Sequence, residues 1–155
     1  MRKARLDELD DRMGPAAVQL PLTDALGMAK SALNYYELAP GDSFAYGFHA
    51  HENQEEVFYV QAGTVTFRTV EGPVEVAAGE LVRFGPGEYQ RGVNEGDERV
   101  VALAFGAPRD AGETDVLRHC ESCGEETSQD LELAADRDAV LARCVECGEV
   151  TGRYE

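Results

Sequence analysis

Positive charge is what this chain has least of. Fourteen lysines and arginines face thirty aspartates and glutamates, a net charge of −16 at pH 7. Lysine is nearly missing, with only Lys3 and Lys30 present. Phosphate backbones and anionic lipid surfaces are gripped by clustered positive charge, so neither nucleic acid nor a membrane is an expected partner. No apolar run is long enough for a membrane span or a signal-peptide core, and the opening "MRKARLDELDDRMG" is charged throughout. The expected location is cytoplasmic. The chain also lacks internal repeats, low-complexity tracts and any long helix that would support a parallel βαβ sheet.

What is present argues for a packed β protein. A disordered acidic chain would lack the segments rich in valine, phenylalanine and tyrosine found here. The acidic bias suits a halophilic setting, where high ionic strength screens self-repulsion. From about Val18 to Phe105, short apolar segments alternate with turn signals. "ALNYYELA" ends at Pro40-Gly41-Asp42, "EVFYVQ" at Ala62-Gly63, "TVTFRTV" at Glu71-Gly72-Pro73 and "ELVRF" at Gly85-Pro86-Gly87. Strands this short and regular predict an all-β sandwich or barrel. Residues 1–17 read as an N-terminal extension, 18–108 as the β domain, 109–118 as a linker and 119–155 as a small appended unit. Within that unit "LELAADRDAVLAR" is ambiguous between helix and strand.

All four cysteines lie in the appendage. "CESCG" and "CVECG" form two Cys-x-x-Cys pairs, Cys120/Cys123 and Cys144/Cys147, with 20 residues between them. Each pair offers two thiolates from one tight turn, and two turns complete a tetrahedral site for Zn²⁺. Gly124 and Gly148 follow the pairs, where such knuckles adopt a left-handed backbone. Free or disulfide-bonded cysteines are the competing reading, disfavoured in a cytosolic chain. The arrangement resembles a zinc ribbon. Four closed ligands imply a structural metal and an acidic unit suited to contact with a protein partner. His119, beside Cys120, is expected to be a bystander.

The second cluster is "GFHAHENQEEVFYVQAG", Gly47 to Gly63. On a strand, His49 and His51 project to one face, and Glu56 shares a face with Phe58 and Val60. Glu55, the alternative carboxylate, points the other way. A carboxylate and two imidazoles meeting in an apolar interior need a partner, and a divalent cation is the natural one. Two histidines and one carboxylate suit Fe²⁺, and also Mn²⁺, Zn²⁺ or Ni²⁺. Histidines on strands are, however, often no more than hydrogen-bonded polar residues.

The spacing His49-x-His51, four residues, Glu56, six residues, Gly63 resembles the first motif of the cupin superfamily. The glycine that normally opens it is replaced by Ser43. "GELVRFGPGEYQRGVN" resembles the second motif, with Gly79, Gly87 and Asn94 in register and Pro86 one place late. The likeness covers about Asn34 to Phe105. It implies a small jelly-roll β-barrel with the site inside, often built into a homodimer. Metal-binding cupins use three histidines and a glutamate, and Gln90 stands where the third histidine belongs. An amide oxygen is a neutral and weaker donor than imidazole. Either His49, His51, Glu56 and Gln90 hold a metal, or the barrel binds a small molecule without one.

Two functions follow as expectations. One is a metal-dependent enzyme, of dioxygenase or isomerase type, acting on a small polar molecule. Tyr35, Tyr46, Phe58 and Arg83 are candidates to line its pocket. The other is a non-catalytic binding or sensory module whose ribbon contacts a partner protein.

Overall fold

The computed structural model describes residues 1–155. A 3-10 turn at Leu6–Glu8 precedes β1 (Val18–Pro21), the five-residue helix α1 (Leu22–Leu26) and β2 (Ala32–Leu38). The histidine pair lies on β3 (Phe48–His51), followed by β4 (Glu55–Ala62), β5 (Thr64–Thr69) and β6 (Gly72–Ala77). Then come β7 (Leu81–Phe84), β8 (Gln90–Val93) and β9 (Val100–Ala107). The C-terminal strands are β10 (Thr114–Cys120), β11 (Glu125–Leu133), β12 (Val140–Cys144) and β13 (Val150–Tyr154).

These strands form two antiparallel sheets that face each other. The smaller has the order β1-β2-β9-β4-β7, and the larger β13-β12-β11-β10-β3-β8-β5-β6. Alternate residues of each strand turn inward, as a pleated backbone requires. The core gathers Leu38, Phe44, Phe58, Val60, Val65 and Phe67 with smaller residues of β9. Phe44, Phe58 and Phe67 stack or tilt against one another with centroids 4.9–5.9 Å apart, the separation aromatic pairs prefer. Asn94 closes the β8–β9 connection. Its buried amide donates to the carbonyls of Leu38 and Glu98, and its oxygen accepts from Gly96 N–H.

The expected linker differs from the fold. Only its first half is irregular, because Thr114 onward is strand. β10 pairs with β3, Thr114 opposite His51 and Leu117 opposite Phe48, and with β11 on its other side. The cysteine unit therefore continues the barrel's own sheet. Gly47 permits this junction, since a Cβ there would meet the Leu117 carbonyl at 2.5 Å. Arg118 fastens it by donating to the Tyr46 carbonyl, the Tyr154 hydroxyl and Thr151. The ambiguous segment "LELAADRDAVLAR" is a hairpin, turned at Arg137 with φ 62°. No helix is long and apolar enough to cross a membrane.

Candidate metal centres

Strand parity brings the first cluster together as the sequence predicts. His49 and His51 turn inward from β3, Glu56 enters from the opposite sheet on β4, and Gln90 enters from β8 in register with His49. Glu56 Oε2 lies 3.7 Å from His49 Nε2 and 3.4 Å from His51 Nε2. Donors about 2.1 Å from a common ion at tetrahedral or octahedral angles stand about 3.0–3.4 Å apart. These three side chains could hold such an ion after a shift of a few tenths of an ångström.

The atoms behind the ligands orient them. His49 Nδ1 faces the Gly47 carbonyl at 3.3 Å, and His51 Nδ1 lies 2.8 Å from Thr114 Oγ1. A carbonyl can only accept, so His49 carries its proton on Nδ1 and presents an Nε2 lone pair to the site. Such outer contacts orient imidazole ligands and raise their basicity. Burial by itself would raise the Glu56 pKa. The hydrogen bonds and charges of His49 and His51 outweigh it and bring the value down to about 2.

Gln90 is 1% exposed. Its Nε2 lies 3.2 Å from His49 Nε2 and donates to Glu56 Oε2 at 3.1 Å, while its Oε1 is buried with no partner. An orphaned buried oxygen is costly. Rotating the amide by half a turn would aim that oxygen at the point where the other three donors converge, so the residue fits a metal site. The space among these groups, bounded by Gln54, Phe84, Gly85 and Glu88, is about 10 Å³. That is near the minimum for one water.

Several expected pocket residues lie elsewhere. Arg83 projects outward to Glu55 at 2.7 Å. Tyr35 bonds Glu37 at 2.9 Å on the outer face of β2, and its neighbour Tyr36 is the buried one. Tyr46 bonds the Met13 carbonyl and packs on Tyr154, at the junction with the C-terminal strands. Phe58 is in the core. Thr114, Gln54 and Glu88 carried no sequence signal, because they reach the site from loops or from a strand whose pairing is non-local.

The four cysteines converge as the spacing predicts. Their sulfurs lie within 4.8 Å of one another, with Cys120–Cys147 at 3.5 Å and Cys123–Cys144 at 3.9 Å. A tetrahedral ion with bonds to sulfur of about 2.3 Å sets its ligands about 3.8 Å apart. Gly124 and Gly148 adopt φ of 77° and 76°, and their N–H groups close each knuckle on Cys120 and Cys144 carbonyls. A hydrogen bond from Thr127, against the opposing effect of burial, brings the Cys144 thiol pKa down to about 6. His119 faces away from the sulfurs, opposite Glu126.

A jelly-roll barrel with a histidine–glutamate cluster between its sheets defines a class, and comparison with known proteins agrees. Residues 34–106 match the family model of the cupin domain, and the chain carries a cupin domain there. A sugar phosphate isomerase of the cupin superfamily from Silicibacter pomeroyi DSS-3 is 21% identical over 96% of this chain and 91% of that one, with a TM-score of 0.62. A candidate sugar phosphate isomerase from Acidithiobacillus ferrooxidans is 22% identical over 96% and 86%, with a TM-score of 0.59. A cupin 2 conserved barrel domain protein from Salinispora arenicola is 20% identical over 69% and 88%, with a TM-score of 0.58. At these identities the likeness establishes the fold. The first two alignments, at 96% coverage, extend over the C-terminal strands as well as the barrel. No curated protein matches the chain.

Proposed function

We propose that this cupin holds a divalent ion, Fe²⁺, Mn²⁺, Ni²⁺ or Zn²⁺, through His49, His51 and Glu56, with the Gln90 amide oxygen as a fourth donor. The ion would supply Lewis-acid polarisation of a small polar molecule. His49 and His51 are oriented by the Gly47 carbonyl and the Thr114 hydroxyl, and Glu56 supplies the negative charge. The observation that carries this reading is the convergence of two imidazoles and a carboxylate on one point, with both imidazoles oriented from behind. The neighbours that align over 96% of the chain make sugar phosphates the first substrates to assay, for isomerisation.

Gln90 gives the direct test. Titrated with Mn²⁺ or Ni²⁺ after its metal is stripped, the Gln90→His variant binds at least about tenfold tighter, because imidazole replaces a weaker donor. Unchanged affinity places residue 90 outside the coordination sphere and removes the fourth ligand.

The second reading is a non-catalytic binding or sensory barrel whose cluster holds an ion alone, and the 10 Å³ of space there favours it. Turnover of any assayed substrate excludes it. In either case the four cysteines hold a structural Zn²⁺, forming a zinc ribbon whose acidic surface suits a protein partner. The protein acts in the cytoplasm as a homodimer. The outer face of the small sheet supports self-association: Tyr59, Leu81 and Phe105 are 36%, 64% and 41% exposed there. Tyr59 stands opposite Leu81 and Val57 opposite Phe105.

A further inference from the structure

The wall that carries the histidine pair has a second cavity on its other side. Strand alternation sends His49 and Gln90 inward, and so sends their neighbours Phe48 and Arg91 outward. Arg68 on β5 stands directly opposite Arg91, and Leu117 on β10 opposite Phe48. Together with Arg118 and His119 they line a cavity of about 530 Å³ where the barrel meets the C-terminal strands. That is within the size range of small-molecule sites.

The charge in this cavity is the opposite of the rest of the molecule. Arg5, Arg83, Arg99, Arg109, Arg143 and Arg153 each have a carboxylate partner within 3.4 Å. Arg91 and Arg118 have none although they are partly buried, whereas the other arginines without a carboxylate partner, Arg2, Arg12 and Arg137, are exposed. Arg118 uses its donors on neutral acceptors, the Tyr46 and Thr151 carbonyls and the Tyr154 and Thr151 hydroxyls. Arg91 is poorly satisfied. Its Nε is buried without a partner, and Nη2 has only a 3.4 Å contact to Ser43 Oγ. Its burial, with the charges of Arg118 and Arg68, disfavours its own charge, offset in part by Tyr154 and Glu126. Glu126 is the only carboxylate in the lining, and Arg68 is held by Glu95 at 2.6 Å.

A guanidinium does not neutralise by losing its proton, so the partly buried and poorly satisfied Arg91 calls for an anion. Guanidinium groups match phosphate oxygens in charge and geometry. Arg91 without a carboxylate partner, with Arg68 directly opposite it and balanced by Glu95 alone, fits a dianion better than a monocarboxylate. Phe48, stacked on Tyr89 at a centroid distance of 5.5 Å, and Leu117 add an apolar surface beside them. We infer that this outer cavity binds a small phosphorylated molecule, its phosphoryl group on Arg91 and Arg68 and its organic part against Phe48 and Leu117. The net charge of −16 does not prevent this, because at physiological ionic strength charges beyond about 8 Å are screened and the arginines act locally.

The test is a titration of the full-length protein with phenyl phosphate, inorganic phosphate and benzoate, followed through the His119 ring signals. Phenyl phosphate shifts the His119 signals saturably and binds at least about threefold tighter than inorganic phosphate, and benzoate does not saturate. Arg91→Gln weakens phenyl phosphate at least about tenfold, and Arg68→Gln weakens it severalfold. Arg99→Gln, just before β9 of the other sheet, leaves it unchanged. The His49→Ala/His51→Ala double variant also binds normally, which separates this site from the barrel cluster. The inference is overturned by the absence of saturable shifts, by equal affinities for the two phosphates, or by loss of binding in the histidine variant. Wild-type affinity in Arg68→Gln overturns it too, whether or not Arg91→Gln folds.

Discussion

Thr114 Oγ1 lies 2.8 Å from His51 Nδ1, across 63 residues of sequence. The strand that begins the cysteine unit thus ends beside the histidine cluster of the barrel. The two candidate metal centres share one sheet, and β10 is their common member: Thr114 stands behind His51 at one end, and Cys120 contributes a sulfur at the other.

Removing that contact should loosen the barrel site without unfolding it. Partners behind a metal-bound imidazole are worth about 10- to 100-fold in affinity. Thr114→Val keeps the shape and removes the hydroxyl, so its metal affinity should fall by a factor in that range. Competition with a chromophoric chelator measures this, and wild-type affinity would deny Thr114 its role.

The junction should be intolerant of a single methyl group. A Cβ at Gly47 would lie 2.5 Å from a backbone carbonyl and 2.8 Å from Val116, where neither neighbour can move freely. Gly47→Ala should cost about 1–3 kcal/mol by overpacking, read as a lowered urea midpoint. A midpoint equal to wild type would show that β10 is free to move away from β3.

Loss of the cysteine-bound ion should be local at first. Cys144→Ser, or treatment with a strong zinc chelator, should raise amide exchange across β11, β12 and β13. The aromatic core of the barrel should stay protected, since its packing does not involve these strands. Uniform loss of protection would mean that the two units fold as one.

Glu56 should make the metal-free protein sensitive to acid. Its folded pKa of about 2 lies below the ordinary 4.5, so its contribution to stability is complete above pH 4.5. That contribution is lost as pH falls toward 2. The difference corresponds to about 3 kcal/mol. Glu56→Gln should flatten stability over this interval; an unchanged slope would assign the acid sensitivity to other carboxylates.

How much of this was legible depended on the range of the interaction. The inward aim of His49, His51 and Glu56 and the outward aim of Glu55 follow from a two-residue period, which sequence shows directly. The knuckles were equally clear, because each pair of ligands is local. "NYY" was not: Tyr35 and Tyr36 are equally apolar, so alternation could not say that Tyr36 is inside. Thr114 was hidden for a different reason. It sits beyond a Gly- and Pro-containing stretch with the composition of a linker, and becomes strand only by pairing with β3, far back in the chain. "LELAADRDAVLAR" carried both periods, and its turn at Arg137 needs a left-handed residue that the sequence does not advertise.

Metal content per chain tests the central claim most directly. Protein expressed in divalent-metal-supplemented medium should contain two ions, one of them zinc, by elemental mass spectrometry. The His49→Ala/His51→Ala variant should retain one zinc and lose the other ion. A single zinc in the wild type, or a second ion that persists in the double variant, would contradict a metal centre inside the barrel.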